Sequence, residues 1–147
     1  MGETAACRSS TGRVRPKHRP NRQAQDLIDH HLDEAEGILI VSPQGPLAAG
    51  DFEALRSEVD PFIERTGGLR GLVIEAEVFP GWDGFAGLTA HLRFVRDHHR
   101  LIRRVAVVSD SALLSHLPQL AGHFVAAEVR HFPKAKRAGA LDWVRSA

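Results

Sequence analysis

The stretch that decides the fold reads Ile102-Arg-Arg-Val-Ala-Val-Val-Ser-Asp110. Residues 105–108 are apolar and mostly β-branched, which is typical of a strand buried on both faces of a sheet. Asp110 or Ser111 then stands where a helix cap belongs. The helical pattern that follows is interrupted by Pro118 and consists of Leu113, Leu114, Leu117, Leu120, Ala121 and Phe124. The segment therefore predicts a strand followed by a helix.

The same alternation extends from this unit in both directions. Strands are predicted at residues 37–41 and 69–78 on one side and at 127–132 on the other, each followed by a helical pattern. The order β-α-β-α-β-α-β-α indicates an α/β fold, a single mixed, mostly parallel sheet interleaved with about four helices. An additional antiparallel edge strand near residues 26–32 stays open, because the pattern there is polar.

The helices have recognisable ends and faces. Asp51 or Gly50 is expected to cap the first helix, and Gly67-Gly68 to end it. Pro61 predicts a kink or a broken last turn there. The apolar faces of the first, second and last helices are predicted as follows: Phe52, Leu55, Val59, Phe62 and Ile63; Phe85, Leu88, Leu92 and Val95; and Ala138, Leu141, Trp143 and Val144.

Composition favours one soluble globular domain. The chain has 147 residues, of which 43% are hydrophobic and 25% charged, and its apolar runs are too short to cross a bilayer. Its single cysteine, Cys7, excludes an internal disulfide framework and provides no metal-ligand spacing. We therefore expect a cytoplasmic protein.

Charge is distributed unevenly along the chain. Residues 1–25 contain six Lys or Arg and one acidic residue, so the remainder carries a net charge of −4. We expect a disordered basic tail over 1–25 and a folded domain over 26–147. A contact of the tail with nucleic acid or anionic lipid is the alternative, whereas Pro16 and Pro20 argue against a helical transit peptide.

Several short motifs, taken in order, resemble the SpoIIAA-like branch of the STAS (anti-sigma-factor-antagonist-like) superfamily. They lie within residues 26–147 and include Phe79-Pro-Gly-Trp82, Leu92-Arg-Phe-Val95, the 102–110 stretch, Glu128-Val-Arg-His-Phe-Pro133 and Ala140-Leu-Asp-Trp-Val144. The resemblance implies a mostly parallel sheet with helices, and a kinship with CRAL-TRIO lipid-transfer domains, which bind apolar ligands. Function must still be argued from the site, because one fold serves many functions.

The chain departs from the anti-sigma antagonists at one functional position. Those proteins carry a phosphorylatable serine in the loop after the central strand. The matching residues 78–88 contain no serine or threonine, and the next hydroxyl residue is Thr89. The phosphorylation switch is therefore not carried over, and Ser109 and Ser111 lie in a different loop, where a helix cap explains them.

The leading candidate site is aromatic. Phe79, Trp82 and Phe85 follow a central strand, and ligands of open α/β sheets bind beyond the carboxyl ends of the strands. These side chains are predicted either to wall an apolar pocket or to enter a membrane interface. The alternative is that Phe79 and Phe85 close the core and Trp82 covers it.

Charged residues provide weaker candidates. Glu75 and Glu77, with Asp83 nearby, are candidates for acid–base chemistry or for binding a cation. The favoured interpretation is that they lie on a solvated face or form ion pairs with arginines. His91, His98 and His99 lack the four-residue spacing of helical zinc ligands, so no metal site is expected. A basic, solvent-facing second helix is predicted instead, with His91, Arg93 and Arg96 as candidate contacts for an anion or lipid headgroup.

The sequence contains no catalytic motif of a familiar type. We therefore expect no catalytic residues, no cofactor and no enzymatic activity. The leading hypothesis is a module, cytoplasmic or peripheral to the membrane, that binds a small apolar or lipid-like ligand or a membrane surface. The alternative is a phosphorylation-independent regulatory module that binds a protein partner. Nucleic acid is not expected as a partner, and homodimerisation stays open.

Overall fold

The computed structural model describes residues 27–121 and 125–147, so the predicted tail lies outside the described residues. Within them, five strands form one sheet in chain order: β1 (Ile28–Asp33), β2 (Ile38–Pro43), β3 (Leu69–Glu75), β4 (Ile102–Val108) and β5 (Glu128–Phe132). β1 pairs antiparallel with β2, and all the other neighbours are parallel. The predicted mixed, mostly parallel sheet is confirmed. The antiparallel edge strand that the sequence left open is present as β1.

Helices connect and cover the strands. They are α1 (Ala49–Thr66), α2 (Gly84–His98), α3 (Ala112–Ser115), α4 (Leu117–Ala121) and α5 (Arg137–Arg145), the last preceded by a 3₁₀ turn at Lys134–Lys136. The helix predicted to be interrupted at Pro118 is thus two short helices that separate at His116. Pro118 lies in the first turn of α4, where its missing N–H leaves no hydrogen bond unmade. Phe124 lies outside the described residues.

The start of α1 differs from the prediction. Its cap position is Ala48, and Asp51 lies in the first turn, where it is buried. The Asp51 carboxylate accepts hydrogen bonds from the backbone N–H of Ala48 at 2.8 Å and of Leu27 at 2.9 Å. Asp51 therefore fixes the chain before β1 against the start of α1.

The end of α1 agrees with the prediction in part. Gly67 ends the helix in the left-handed conformation at φ 86°, and its N–H donates to Ile63 O at 2.7 Å. The helix continues through Pro61 to Thr66, so the last turn is not broken. The left-handed C-cap explains why glycine stands at this position.

The two faces of the sheet are covered differently. On one face α5 packs against a small apolar cluster of Ile38, Val73, Ala106, Val108, Ala140 and Val144. On the other face the larger core joins the strands to α1, α2 and α3. Because both faces are covered, the central strands are apolar on both sides, which accounts for their unbroken hydrophobic runs. No described helix is both long and apolar enough to cross a bilayer.

The predicted apolar face of α2 is wrong for Phe85 and Leu92, although Leu88 and Val95 are half-buried and Val95 lines the cavity. Phe85 is 82% exposed and Leu92 60% exposed, whereas Gly87, Phe94 and His98 are buried. Gly87 lies close to the connection between β2 and α1. A Cβ atom at position 87 would stand 2.2 Å from the carbonyl oxygen of Leu47 in that connection. The apolar pattern failed because the inward face contains glycine and histidine, which a hydrophobicity pattern does not count.

Candidate functional site

The loop between β3 and α2 lies over the carboxyl edge of the sheet and is fixed there by backbone hydrogen bonds. Leu47 N–H donates to Gly81 O at 3.0 Å, and Asp83 N–H donates to Leu47 O at 2.8 Å. Leu47 and Trp82 thus form an isolated parallel bridge. The loop is therefore joined to the connection between β2 and α1, at the sheet edge where ligands of α/β folds bind.

Two of the three predicted aromatic residues meet in this loop. The rings of Phe79 and Trp82 pack edge to face with their centroids 4.9 Å apart. Trp82 is half-buried, and Phe79 is 37% exposed. Phe85 lies apart from them in the first turn of α2, where its side chain faces solvent.

A cavity of about 390 Å³ lies beneath this loop, between the larger core face of the sheet and helices α1 to α4. All five strands contribute to its walls, through side chains such as Ile28, Leu39, Leu72, Val105 and Val129. Phe79 and Trp82 line it from the loop, whereas Phe85 does not contribute to the described lining. The walls are almost entirely apolar, so the cavity favours an apolar occupant over water.

His91 is the most informative polar group on the cavity wall. Its Nδ1 accepts a hydrogen bond from the indole N–H of Trp82 at 3.0 Å. Its ring also stacks on Phe52, with centroids 5.3 Å apart and planes 11° from parallel. Burial lowers the pKa of His91 below 6.5, so the imidazole is neutral at pH 7.

His98 also lines the cavity, and both of its ring nitrogens face acceptors in the protein. Nδ1 lies 2.7 Å from Phe94 O, and Nε2 lies 2.6 Å from Oδ1 of Asp60. The ring stacks on Phe94 at 4.2 Å and is buried. Because its polar atoms are occupied, His98 joins α2 to α1 rather than contacting a ligand.

The prediction that the histidines of α2 share a solvent-facing basic surface with its arginines is wrong. His91 is half-buried on the cavity wall and His98 is buried. Arg93 and Arg96 are exposed, and Arg96 forms an ion pair with Asp97 at 3.0 Å, which lowers the pKa of that carboxyl. Contact of Arg93 and Arg96 with an anion or headgroup stays a prediction.

The acidic residues at the end of β3 and just beyond it form ion pairs. Glu75 pairs with Arg137 and Glu77 with Lys134, each at 2.5 Å. The hydrogen bond from Lys134 lowers the pKa of Glu77. Across residues 27–121 and 125–147, no group of three or more histidine, cysteine or acidic side chains has the arrangement of a metal site.

Sequence reasoning missed the partners that place His91 on the cavity wall. Phe52 is contributed by α1 and Trp82 by the loop, and nothing in the local sequence relates the three. One signal was nevertheless present. Gly87, His91, Phe94 and His98 recur at spacings of four, three and four, which describe one face of a helix.

The sheet order, the helices on both faces and the cavity define an α/β domain of the STAS-like class. A family model described as SpoIIAA-like matches residues 38–145. The chain therefore belongs to the SpoIIAA-like family, and the resemblance inferred from its sequence is confirmed.

A solved structure supports the same fold. It is an uncharacterised protein of the DUF3478 family with a SpoIIAA-like fold, from Shewanella loihica PV-4. The two chains share 20% sequence identity and superpose with a TM-score of 0.63, over 80% of this chain and 91% of the other. No curated protein matches the sequence.

Proposed function

We propose that this domain is a non-enzymatic module that binds a small apolar or lipid-like ligand in the cavity beneath the 79–84 loop, the segment from Phe79 to the first residue of α2, Gly84. The observation that carries the proposal is the cavity itself, about 390 Å³ in volume with almost wholly apolar walls. Ligand pockets of proteins typically measure about 300–1,000 Å³ and are mostly apolar. The resemblance to lipid-transfer domains implies a ligand of the same chemistry.

The exposure of the cavity walls supports an occupant. Half-buried residues such as Trp82 and Val95 border the cavity, so its apolar walls contact water when no ligand is bound. Removing apolar surface from water is worth about 25 cal/mol per Å². An apolar ligand that covers these walls would therefore be favoured over solvent.

The loop provides a means of access. Phe79 and Trp82 form part of the cavity wall, yet both retain exposure to solvent. Val78, beside them, is 69% exposed, and Phe85 is 82% exposed. Apolar side chains around the entrance would favour contact with a membrane interface, from which a lipid-like ligand can be taken up.

The same exposed side chains favour a second candidate function. Val78, Phe85 and Leu92 place apolar surface on the loop and on α2, and contiguous apolar surface is characteristic of interaction sites. A phosphorylation-independent regulatory module that binds a protein partner would use this surface and not the cavity. The double variant Phe85→Glu/Leu92→Glu would then abolish binding of the protein partner, and the affinity of the domain for an apolar probe would not change.

The experiment that tests the leading proposal combines two measurements. Native mass spectrometry of the freshly purified chain should show a co-purified, lipid-sized adduct. N-phenyl-1-naphthylamine should bind the delipidated chain with enhanced fluorescence. The control is Ala76→Phe, because Ala76 lines the cavity and a benzyl group there would occupy it.

The proposal expects this variant to lose the probe while retaining its fold by circular dichroism. Should Ala76→Phe fail to fold, Ala127→Phe tests the same cavity from the residue that precedes β5. Absence of any adduct, together with no probe binding by the native chain, would overturn the proposal.

A further inference from the structure

The hydrogen bond between Trp82 and His91 fixes the tautomer of the histidine. An indole N–H can only donate, so Nδ1 of His91 must be the acceptor over their 3.0 Å separation. In a neutral imidazole the single proton is then on Nε2. Burial lowers the pKa of His91 and so favours this neutral form at pH 7. His91 therefore holds one N–H donor at Nε2.

That donor is open to a ligand. Nε2 of His91 has no hydrogen-bond partner among the residues that the structure describes, and these residues include no polar side-chain atom that is both buried and unpartnered. Nε2 is therefore not buried, and the residue that carries it lines the cavity. The other histidine on this face, His98, has both nitrogens occupied within the protein.

We propose that the ligand is an apolar molecule bearing a neutral oxygen acceptor, a ketone, ester or amide carbonyl, which accepts a hydrogen bond from Nε2–H of His91. This inference rests on the proposed function and names the chemical class of its ligand. A neutral acceptor is specified because a carboxylate buried among apolar walls needs a cationic partner, and neutral His91 does not supply one. The apolar body of the ligand would lie along the cavity beneath Phe79 and Trp82.

The test uses two probes of nearly equal shape, 2-acetylnaphthalene, which carries a carbonyl, and 2-ethylnaphthalene, which does not. Their dissociation constants are measured for the native chain, His91→Phe and His91→Gln. The ratio of the ethyl to the acetyl dissociation constant is compared between the native chain and each variant, because the difference in hydrophobicity between the probes cancels in that comparison. The ratio should fall about three- to tenfold in His91→Phe, the range expected for one lost hydrogen bond.

His91→Gln should restore the ratio, because its amide can accept from Trp82 and donate to the carbonyl. His31→Phe, a change at an exposed histidine of β1, should leave the ratio at its native value. 2-Naphthoate should bind the native chain more weakly than 2-acetylnaphthalene, and tighter binding would overturn the choice of a neutral acceptor.

The outcomes separate this inference from the function on which it rests. If both naphthalenes bind and the ratio is unchanged in His91→Phe, the role of His91 is wrong and the cavity proposal stands. If neither naphthalene binds the native chain, this inference is wrong, and the cavity proposal is wrong as well when the chain also shows no lipid-sized adduct and does not bind N-phenyl-1-naphthylamine. Should His91→Phe not fold, the Nε2–H proton resonance of His91 in the native chain decides: it should shift with the acetyl probe and not with the ethyl probe.

Discussion

Trp82 donates its indole N–H to Nδ1 of His91 across 3.0 Å, and the His91 ring stacks on Phe52. This contact joins three elements, because Trp82 belongs to the 79–84 loop, His91 to α2 and Phe52 to α1. The loop that covers the cavity is therefore held by a histidine that can act as an acceptor only while its Nδ1 is unprotonated. Protonation of the His91 imidazole at Nδ1 would therefore remove the hydrogen bond from Trp82.

Acid should consequently destabilise the fold through His91. Burial depresses the pKa of His91 in the folded state below 6.5, so the unfolded chain binds its proton more readily and stability falls as pH drops. The contribution is fully present above about pH 6.5 and is lost as pH falls through the lower folded-state value. Denaturant unfolding at pH 7.5, 6.5 and 5.5 measures the loss.

The comparison with His91→Gln isolates this contribution from the other histidines. Glutamine does not titrate, so the variant should lose less free energy of unfolding than the native chain between pH 7.5 and 5.5. Identical losses in the two proteins would show that His91 makes no contribution to acid sensitivity.

Phe79 and Phe85 should differ in their effect on binding although both are exposed aromatics near one loop. Phe79 lines the cavity and packs on Trp82, whereas Phe85 is 82% exposed. Phe79→Ala should weaken binding of N-phenyl-1-naphthylamine several-fold. Phe85→Ala should leave that affinity unchanged and alter stability by no more than about 0.5 kcal/mol. Equal losses of affinity in Phe79→Ala and Phe85→Ala would contradict the finding that Phe79 lines the cavity and Phe85 does not.

Trp82 should report occupancy of the cavity. In a Trp143→Phe background the remaining indole is half-buried on the cavity wall, so an aliphatic ligand such as 2-undecanone should displace its emission to shorter wavelength. Trp143 must be removed because its indole also emits. It lies on the other face of the sheet, packed with Arg104 and Arg130, and so does not contact the cavity. If the emission maximum does not move at a saturating concentration of ligand, Trp82 does not contact the bound ligand.

The sequence predicted the sheet well because buried parallel strands have a pattern that depends only on local composition. Residues 105–108 are apolar and mostly β-branched, and their side chains pack on both faces of the sheet, Val105 and Val107 on one and Ala106 and Val108 on the other. The aromatic loop was predicted from Pro80, Gly81 and Gly84, which crowd into six residues. Phe79 and Trp82 were thus correctly grouped from the sequence, whereas Phe85, grouped with them, faces solvent.

The interior of the candidate site was much harder to predict, since it depends on contacts between distant elements. Phe52 and His91 are 39 positions apart in the sequence, and only the packing of α2 against α1 brings their rings together. The apolar residues Phe85 and Leu92 dominated the pattern of α2, although they face outward. When the inward face of a helix contains glycine and histidine, the pattern of hydrophobic residues does not identify that face.

Asp51 should be important for stability although its role is not catalytic. Its buried carboxylate accepts from the backbone N–H groups of Leu27 and Ala48, and loss of such caps costs about 1–2 kcal/mol each. Asp51→Ala should therefore lower the free energy of unfolding by about 2–3 kcal/mol. Asp83→Ala is the matched control, because Asp83 precedes α2 without a side-chain capping bond and its removal should cost no more than about 0.5 kcal/mol.

Gly87 should prove essential to the position of α2 and hence to the cavity. A Cβ atom at Gly87 would stand 2.2 Å from the carbonyl oxygen of Leu47, a backbone atom that cannot rotate away. Gly87→Ala must therefore displace α2, at a cost of about 1–3 kcal/mol or more, and should weaken binding of N-phenyl-1-naphthylamine. Gly50→Ala adds the same methyl group to α1 where no atom lies within 4 Å, so helix propensity should leave it neutral or stabilise it by up to about 1 kcal/mol. If thermal unfolding shows equal stability for the two variants, the close approach of α2 to Leu47 is not required by the fold.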